Sequence, residues 1–202
     1  MVGRAIYKKL KEHGYNNILT ISRKDLDLRN KEKVQNWFSK NEPDIVILAA
    51  AKVGGIESNQ RYPTEFLLDN IKIQNSVIEN SWKSKVKRLL FLGSSCIYPK
   101  HAKQPIKEEE LLSGELEPTN ESYALAKILG IRLCQVLRKQ YKLDSICLMP
   151  SNLYGPGDNY HQTNSHVLAA FIRRFHEASL IGSKEVICWG TGNPYREFLH
   201  VN

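Results

Sequence analysis

Arg88-Leu-Leu-Phe-Leu-Gly-Ser-Ser-Cys-Ile-Tyr98 is an apolar run that halts at a glycine and gives way to small polar residues. This is how a buried strand ends where a sheet meets a ligand. On its N-terminal side, a stretch from about Pro63 to Trp82 has helical periodicity and a proline in its first turn, where the missing amide costs nothing. Before that, Pro43-Asp-Ile-Val-Ile-Leu-Ala-Ala-Ala51 is continuously apolar and reads as another buried strand. Downstream, Ser122 to Tyr141 reads as a helix, Ser145 to Met149 as a strand, His166 to Ala178 as a helix and Val186 to Trp189 as a short strand. Toward the N-terminus, a helix from Arg4 to Glu12, a strand from Asn17 to Ser22 and a helix from Lys31 to Lys40 continue the alternation. Alternating strand and helix predict an α/β fold with a doubly wound parallel sheet, ligands binding at the carboxyl ends of its strands.

The 202 residues, 42% of them hydrophobic, suffice for one compact domain. No apolar stretch approaches the length of a membrane span, and the N-terminus lacks the order of a signal peptide. A cytoplasmic location and no membrane partner are therefore expected. Cysteines 96, 134, 147 and 188 form no CxxC pair and fit neither a disulfide framework nor a metal site. The net charge of +8 is scattered and forms no basic arm, so nucleic acid is not the expected partner and small polyanions are.

Ser94 closes the strand at 88–93, and Tyr123-Ala-Leu-Ala-Lys127 opens the next helix. Spacing of four places Tyr123 and Lys127 on one helical face, where an ammonium can lower the pKa of a phenol. A strand-end serine hydroxyl could bind the same carbonyl oxygen, giving Ser94, Tyr123 and Lys127 the makings of a proton donor for hydride transfer. After the strand at 17–22, an enzyme using NAD typically offers a carboxylate to the ribose 2′-hydroxyl. Here Ser22-Arg23-Lys24 offers a hydroxyl and cations suited to a 2′-phosphate, hence NADP(H).

Leu92-Gly-Ser-Ser-Cys-Ile-Tyr-Pro-Lys100, Glu117-Pro-Thr-Asn120, Tyr123-Ala-Leu-Ala-Lys127, Asn152-Leu-Tyr-Gly-Pro156 and Arg196-Glu-Phe-Leu-His200 occur in order, with Ala49-Ala-Ala-Lys-Val-Gly-Gly55 and Asn164-Ser-His166. In these motifs the chain resembles the GDP-L-fucose synthase family of extended short-chain dehydrogenases/reductases. That resemblance implies NADPH-dependent epimerisation at C3 and C5 of GDP-4-keto-6-deoxy-D-mannose, followed by reduction at C4. It implies that Cys96 and His166 are the acid/base pair; taken alone, Cys96 could equally be a small buried apolar residue and His166 a polar helix start. It further implies a cofactor site made of Gly3, Arg23, Lys24, Asp25, Leu26, Asp27, Leu28, Leu92, Gly93, Ser94, Ser95, Lys127, Pro150, Ser151, Asn152, Leu153 and His166. Arg174, Trp189 and Arg196 would bind the GDP-sugar, mainly within a portion from about 152 to 202, and the expected assembly is a homodimer.

Met1-Val2-Gly3 resembles only the end of the family's glycine-rich fingerprint, so the chain is expected to be truncated at both ends, without the first strand. Two other readings stay open on the residues: another nucleotide-sugar epimerase or reductase of the superfamily, or a dinucleotide-binding protein without activity.

Overall fold

The computed structural model describes residues 1–202. Its elements run α1 (Val2–Glu12), α2 (Lys31–Asn41), β1 (Ile45–Leu48), α3 (Ile56–Arg61), α4 (Pro63–Lys83), β2 (Arg88–Leu92), α5 (Glu121–Tyr141), β3 (Ser145–Leu148), β4 (Asn152–Tyr154), α6 (Val167–Leu180) and β5 (Phe198–His200). The sheet β1-β2-β3 is parallel throughout, with Ile45 opposite Arg88 and Leu89 opposite Ser145. Helices cross over between its strands, as the alternation of patterns requires. A second, two-stranded parallel sheet joins β4 to β5, with Asn152 opposite Phe198.

The central strand decides where the core lies. Leu89 and Phe91 are fully buried on one face of β2 and join Val77 and Ile78 of α4 and Ile128, Ile131, Cys134 and Leu137 of α5 in one cluster. Each such side chain contributes about 2 kcal/mol through removal from water. Helix α5 lies tight against this strand because Gly130 has no side chain. A Cβ there would meet Phe91 Cζ at 2.5 Å and Gln74 Oε1 at 2.9 Å. Gln74 of α4 also donates to the Ala126 carbonyl of α5 at 2.6 Å, a buried bond that fixes the register of the two long helices. On the opposite face of the sheet, Ile146 and Leu148 remain 38% and 47% exposed.

Two expected strands do not form. Asn17 to Ser22 carries no ladder hydrogen bonds, and its Leu19 and Ile21 are 49% and 40% exposed. A strand exists only against a neighbour, and none in this chain runs beside it. Val186 to Trp189 likewise has no strand alongside. Its Ile187 carbonyl accepts from the guanidinium of Arg174 at 3.2 Å instead. Helix α3 and the short strands β4 and β5 appear where no periodic pattern announced them. No helix is long and apolar enough to cross a membrane.

Candidate active site

At the carboxyl end of β2 the chain leaves the sheet through Gly93 and enters a tight turn, Ser95–Ile97, with the buried Ile97 as its anchor. The turn swings Cys96 back over Ser94, so that the thiol donates to Ser94 Oγ at 3.1 Å. Helix α5 begins at Asn120 and presents Tyr123 and Lys127 on the face turned toward this strand end. Lys127 is only 4% exposed. Its Nζ donates to the Leu92 carbonyl at 2.8 Å and lies 4.8 Å above the Phe91 ring and 5.7 Å from the centre of the Tyr123 ring. Ser94, Cys96, Tyr123 and Lys127 therefore form one cluster, as their spacing in the sequence leads one to expect.

The electrostatics of the cluster correct one expectation. The lysine does not bring the phenol down: burial pushes Tyr123 up, a thiolate at Cys96 would raise it further, and Ser94 only partly offsets this. The ammonium is held by the Leu92 carbonyl and the Phe91 face, and desolvation is the largest influence on the phenol. The same desolvation lowers Lys127 to about 8. Burial raises the Cys96 thiol, against the pull of Ser94 and the Lys127 charge. With these shifts Tyr123 and Cys96 hold their protons at neutral pH.

The remaining expected site residues fall into three groups. The first is the turn after residues 17–22, where Arg23, Lys24 and Asp25 are exposed and Leu26 is buried, with Asp27 and Leu28 between. Ser22 Oγ donates to Asp25 at 2.6 Å. Gly3, in the first turn of α1, faces Ala49 at the end of β1. The second group is Pro150, Ser151, Asn152 and Leu153, which leave β3 and enter β4; Asn152 Nδ2 donates to the Glu197 carbonyl at 2.9 Å, bringing the neighbouring Arg196 alongside. In the third group, Arg174 of α6 stacks on Trp189, its guanidinium 4.9 Å from the ring centre. His166 stands exposed at the start of α6, where its side chain caps no amide, and no hydrogen bond joins it to Cys96. Its loop touches the end of the Ala49 to Gly55 stretch, the Gly55 amide donating to the Asn164 carbonyl at 3.4 Å. The Gly55 Cα packs on the Ser165 carbonyl so closely that no side chain would fit there.

Two residues of the site escaped the sequence. Asn70 of α4 is 2% exposed and holds Lys52 by both backbone groups, accepting from its amide at 2.8 Å and donating to its carbonyl at 3.0 Å. Asn70 is one of several buried polar residues of α4, with Gln74, Ser76, Asn80 and Ser81, so periodicity alone does not single it out. Arg29, the residue that follows the 23–28 stretch, grips Asp27 and Asp69. These residues suit NADP(H): Arg23 is an unpaired cation at the end of the first extended stretch, and Lys127 has donors beyond its one carbonyl partner.

The family model described as the NAD-dependent epimerase/dehydratase family matches residues 1–202. The chain belongs to that family. It is 55% identical over its whole length to GDP-L-fucose synthase 1 of Arabidopsis thaliana and 50% identical to GDP-L-fucose synthase of Escherichia coli K12, spanning 62% and 63% of those proteins. Among solved structures, a GDP-mannoheptose C4 reductase of Campylobacter jejuni with NADP bound superposes with a TM-score of 0.91 at 38% identity, over 99% of this chain and 65% of that one. The fold is thus the Rossmann-like, nucleotide-binding one that the order of elements led us to expect, and the chain spans somewhat less than two thirds of its relatives.

Proposed function

We propose that the protein carries out the NADPH-dependent 3,5-epimerisation and 4-reduction of GDP-4-keto-6-deoxy-D-mannose to GDP-L-fucose. The observation that carries it is the cluster of Ser94, Cys96, Tyr123 and Lys127 at one strand end. It is supported by identity over the whole chain to proteins named for this activity.

Ser94 and Tyr123 hold the C4 oxygen of the sugar. NADPH, when bound, supplies the hydride to C4. Tyr123, kept protonated by its burial, gives its proton to the oxygen as negative charge develops there. Lys127 keeps the phenol in place and makes up its negative charge once the proton has gone. Epimerisation uses the same polarised carbonyl, because protons on the adjacent carbons are acidified by it. Cys96, as thiolate, removes them, and His166 returns them from the other side. Burial opposes that thiolate more than the Ser94 hydroxyl and the Lys127 charge favour it, so epimerisation is expected to quicken only as pH rises above the ordinary thiol range.

Residues 152–202 form the substrate-binding portion in this proposal. Arg174 and Arg196 are matched to diphosphate oxygens, and Trp189, exposed on one side, is matched to the base. Lys24, Asp25, Leu26, Asp27 and Leu28 follow the adenosine end of the cofactor. A homodimer is part of the proposal, supported by Leu125, Leu129 and Val136, which stand 43%, 43% and 54% exposed along one side of α5. So is a cytoplasmic location. The test is incubation of the complete protein with GDP-4-keto-6-deoxy-D-mannose and NADPH. GDP-L-fucose is the expected product by NMR; an unchanged substrate, or reduction without inversion at C3 and C5, overturns the proposal.

A further inference from the structure

Arg29 is engaged more fully than any other cation in the chain. Its Nε lies 3.0 and 3.1 Å from the two oxygens of Asp27, and Nη2 lies 2.6 Å from the second of them. Nη1 lies 3.1 Å from each oxygen of Asp69 on α4. The Arg29 backbone amide also donates to Asp27 at 3.0 Å. The Asp69 side chain is 18% exposed and the Arg29 side chain 33%, so the pair lies partly out of water, where such forked contacts hold best. The Arg29 side chain and backbone amide hold the Asp27 carboxyl far below the usual carboxylate range.

Arg23 lies near enough to Asp27 to help hold that carboxylate ionised, yet it makes no ion pair within 4 Å and stays exposed. Arg23 is free because Asp27 is already taken. Without Arg29, Asp27 would be left with Arg23 as its nearby cation.

We propose that Arg29 is a specificity-determining residue for the 2′-phosphate of NADPH: by occupying Asp27 and Asp69 together, it keeps Arg23 available to the phosphate and offsets one of the two negative charges beside its approach. Arg29 does not touch the cofactor, so it acts by positioning and neutralisation. The inference rests on the reading of Arg23 as the 2′-phosphate ligand.

The test is fluorescence titration of the complete protein with NADPH and with NADH. Arg29→Met is expected to weaken NADPH binding at least about tenfold, from loss of one cation and release of two anions beside a doubly charged phosphate, and to leave NADH binding within about twofold. Adding Asp27→Asn and Asp69→Asn to Arg29→Met removes the released charges and is expected to restore most of the NADPH preference. A role limited to fastening the loop would not be rescued this way, since the triple variant has no clamp at all. Arg29→Lys keeps a charge but cannot fork between two carboxylates, and is expected to give an intermediate loss confined to NADPH, which serves if the methionine variant is unstable. Equal weakening of both cofactors by Arg29→Met, or no recovery in the triple variant, overturns the proposal. Failure of the underlying reading looks different: the unmodified protein would show no preference for NADPH, or Arg23→Ala would cost NADPH and NADH alike.

Discussion

Lys127 shows how a buried cation departs from what stability alone would choose. Its ammonium is buried on one carbonyl and two aromatic faces, and desolvation lowers it to about 8 from the ordinary 10.5. The unfolded chain keeps its proton up to the ordinary value, so below pH 8 folding carries the whole cost of burying the charge. Between about 8 and 10.5 the folded state has lost the proton, and that cost is progressively relieved as pH rises. Lys127→Met is accordingly expected to raise the melting temperature at pH 7 by several degrees, with the gain shrinking toward zero near pH 10. A lower melting temperature for the variant at pH 7 would mean that the Leu92 bond outweighs desolvation. At the same scale, Tyr123→Phe removes a proton donor but little surface. Reduction is expected to fall by at least about a hundredfold with NADPH affinity nearly unchanged; wild-type turnover would take Tyr123 out of the chemistry. Arg23→Ala should weaken NADPH much more than NADH, and equal losses would make it ordinary surface charge.

At the scale of elements, the two long helices were legible because periodicity and caps agreed. Pro63 opens α4, with Glu65 in its first turn and Lys83 in its last. Lys142, in left-handed conformation, closes α5 after Arg138 and Lys139. Isolated strands were not legible in the same way: Asn17 to Ser22 has a strand's composition, but pairing depends on a neighbour that no local pattern specifies. The cluster proposed for catalysis could be read because Tyr123 and Lys127 share a helix and Ser94 and Cys96 share a turn. Asn70 and Arg29 could not, since their partners Lys52 and Asp69 are set by packing between separate elements. Asn70→Ala leaves the Lys52 amide and carbonyl without their buried partners and is expected to cost about 1–3 kcal/mol, read by chemical denaturation, with faster hydrogen exchange at Lys52. Unchanged stability would show that water replaces the asparagine without loss. Gly130→Ala gives a better helix former by about 1 kcal/mol, yet its methyl would meet Phe91 and Gln74. It is expected to destabilise, because moving α5 off β2 disturbs its packing on Phe91; a stabilised variant would mean that the helix shifts freely.

On the scale of the whole molecule, the proposed reaction draws on parts far apart in sequence. The turn after β2 holds Ser94 and Cys96, α5 holds Tyr123 and Lys127, and His166 stands before α6 beside the Gly55 loop. Leu129→Glu, on the exposed side of α5, is expected to convert a dimer to monomers by light scattering; an unchanged mass would move the interface elsewhere. The division of labour between the cysteine and the tyrosine is the central claim, and one substitution separates the two. Cys96→Ser replaces a thiol by a hydroxyl far harder to ionise, while Ser94, Tyr123 and Lys127 remain. In deuterated water with GDP-4-keto-6-deoxy-D-mannose and NADPH, the variant is expected to lose deuterium incorporation at C3 and C5 and to reduce the unepimerised ketone to a 6-deoxy sugar without inversion at those carbons. GDP-L-fucose formed by the variant at the normal rate, with deuterium at both carbons, would contradict it.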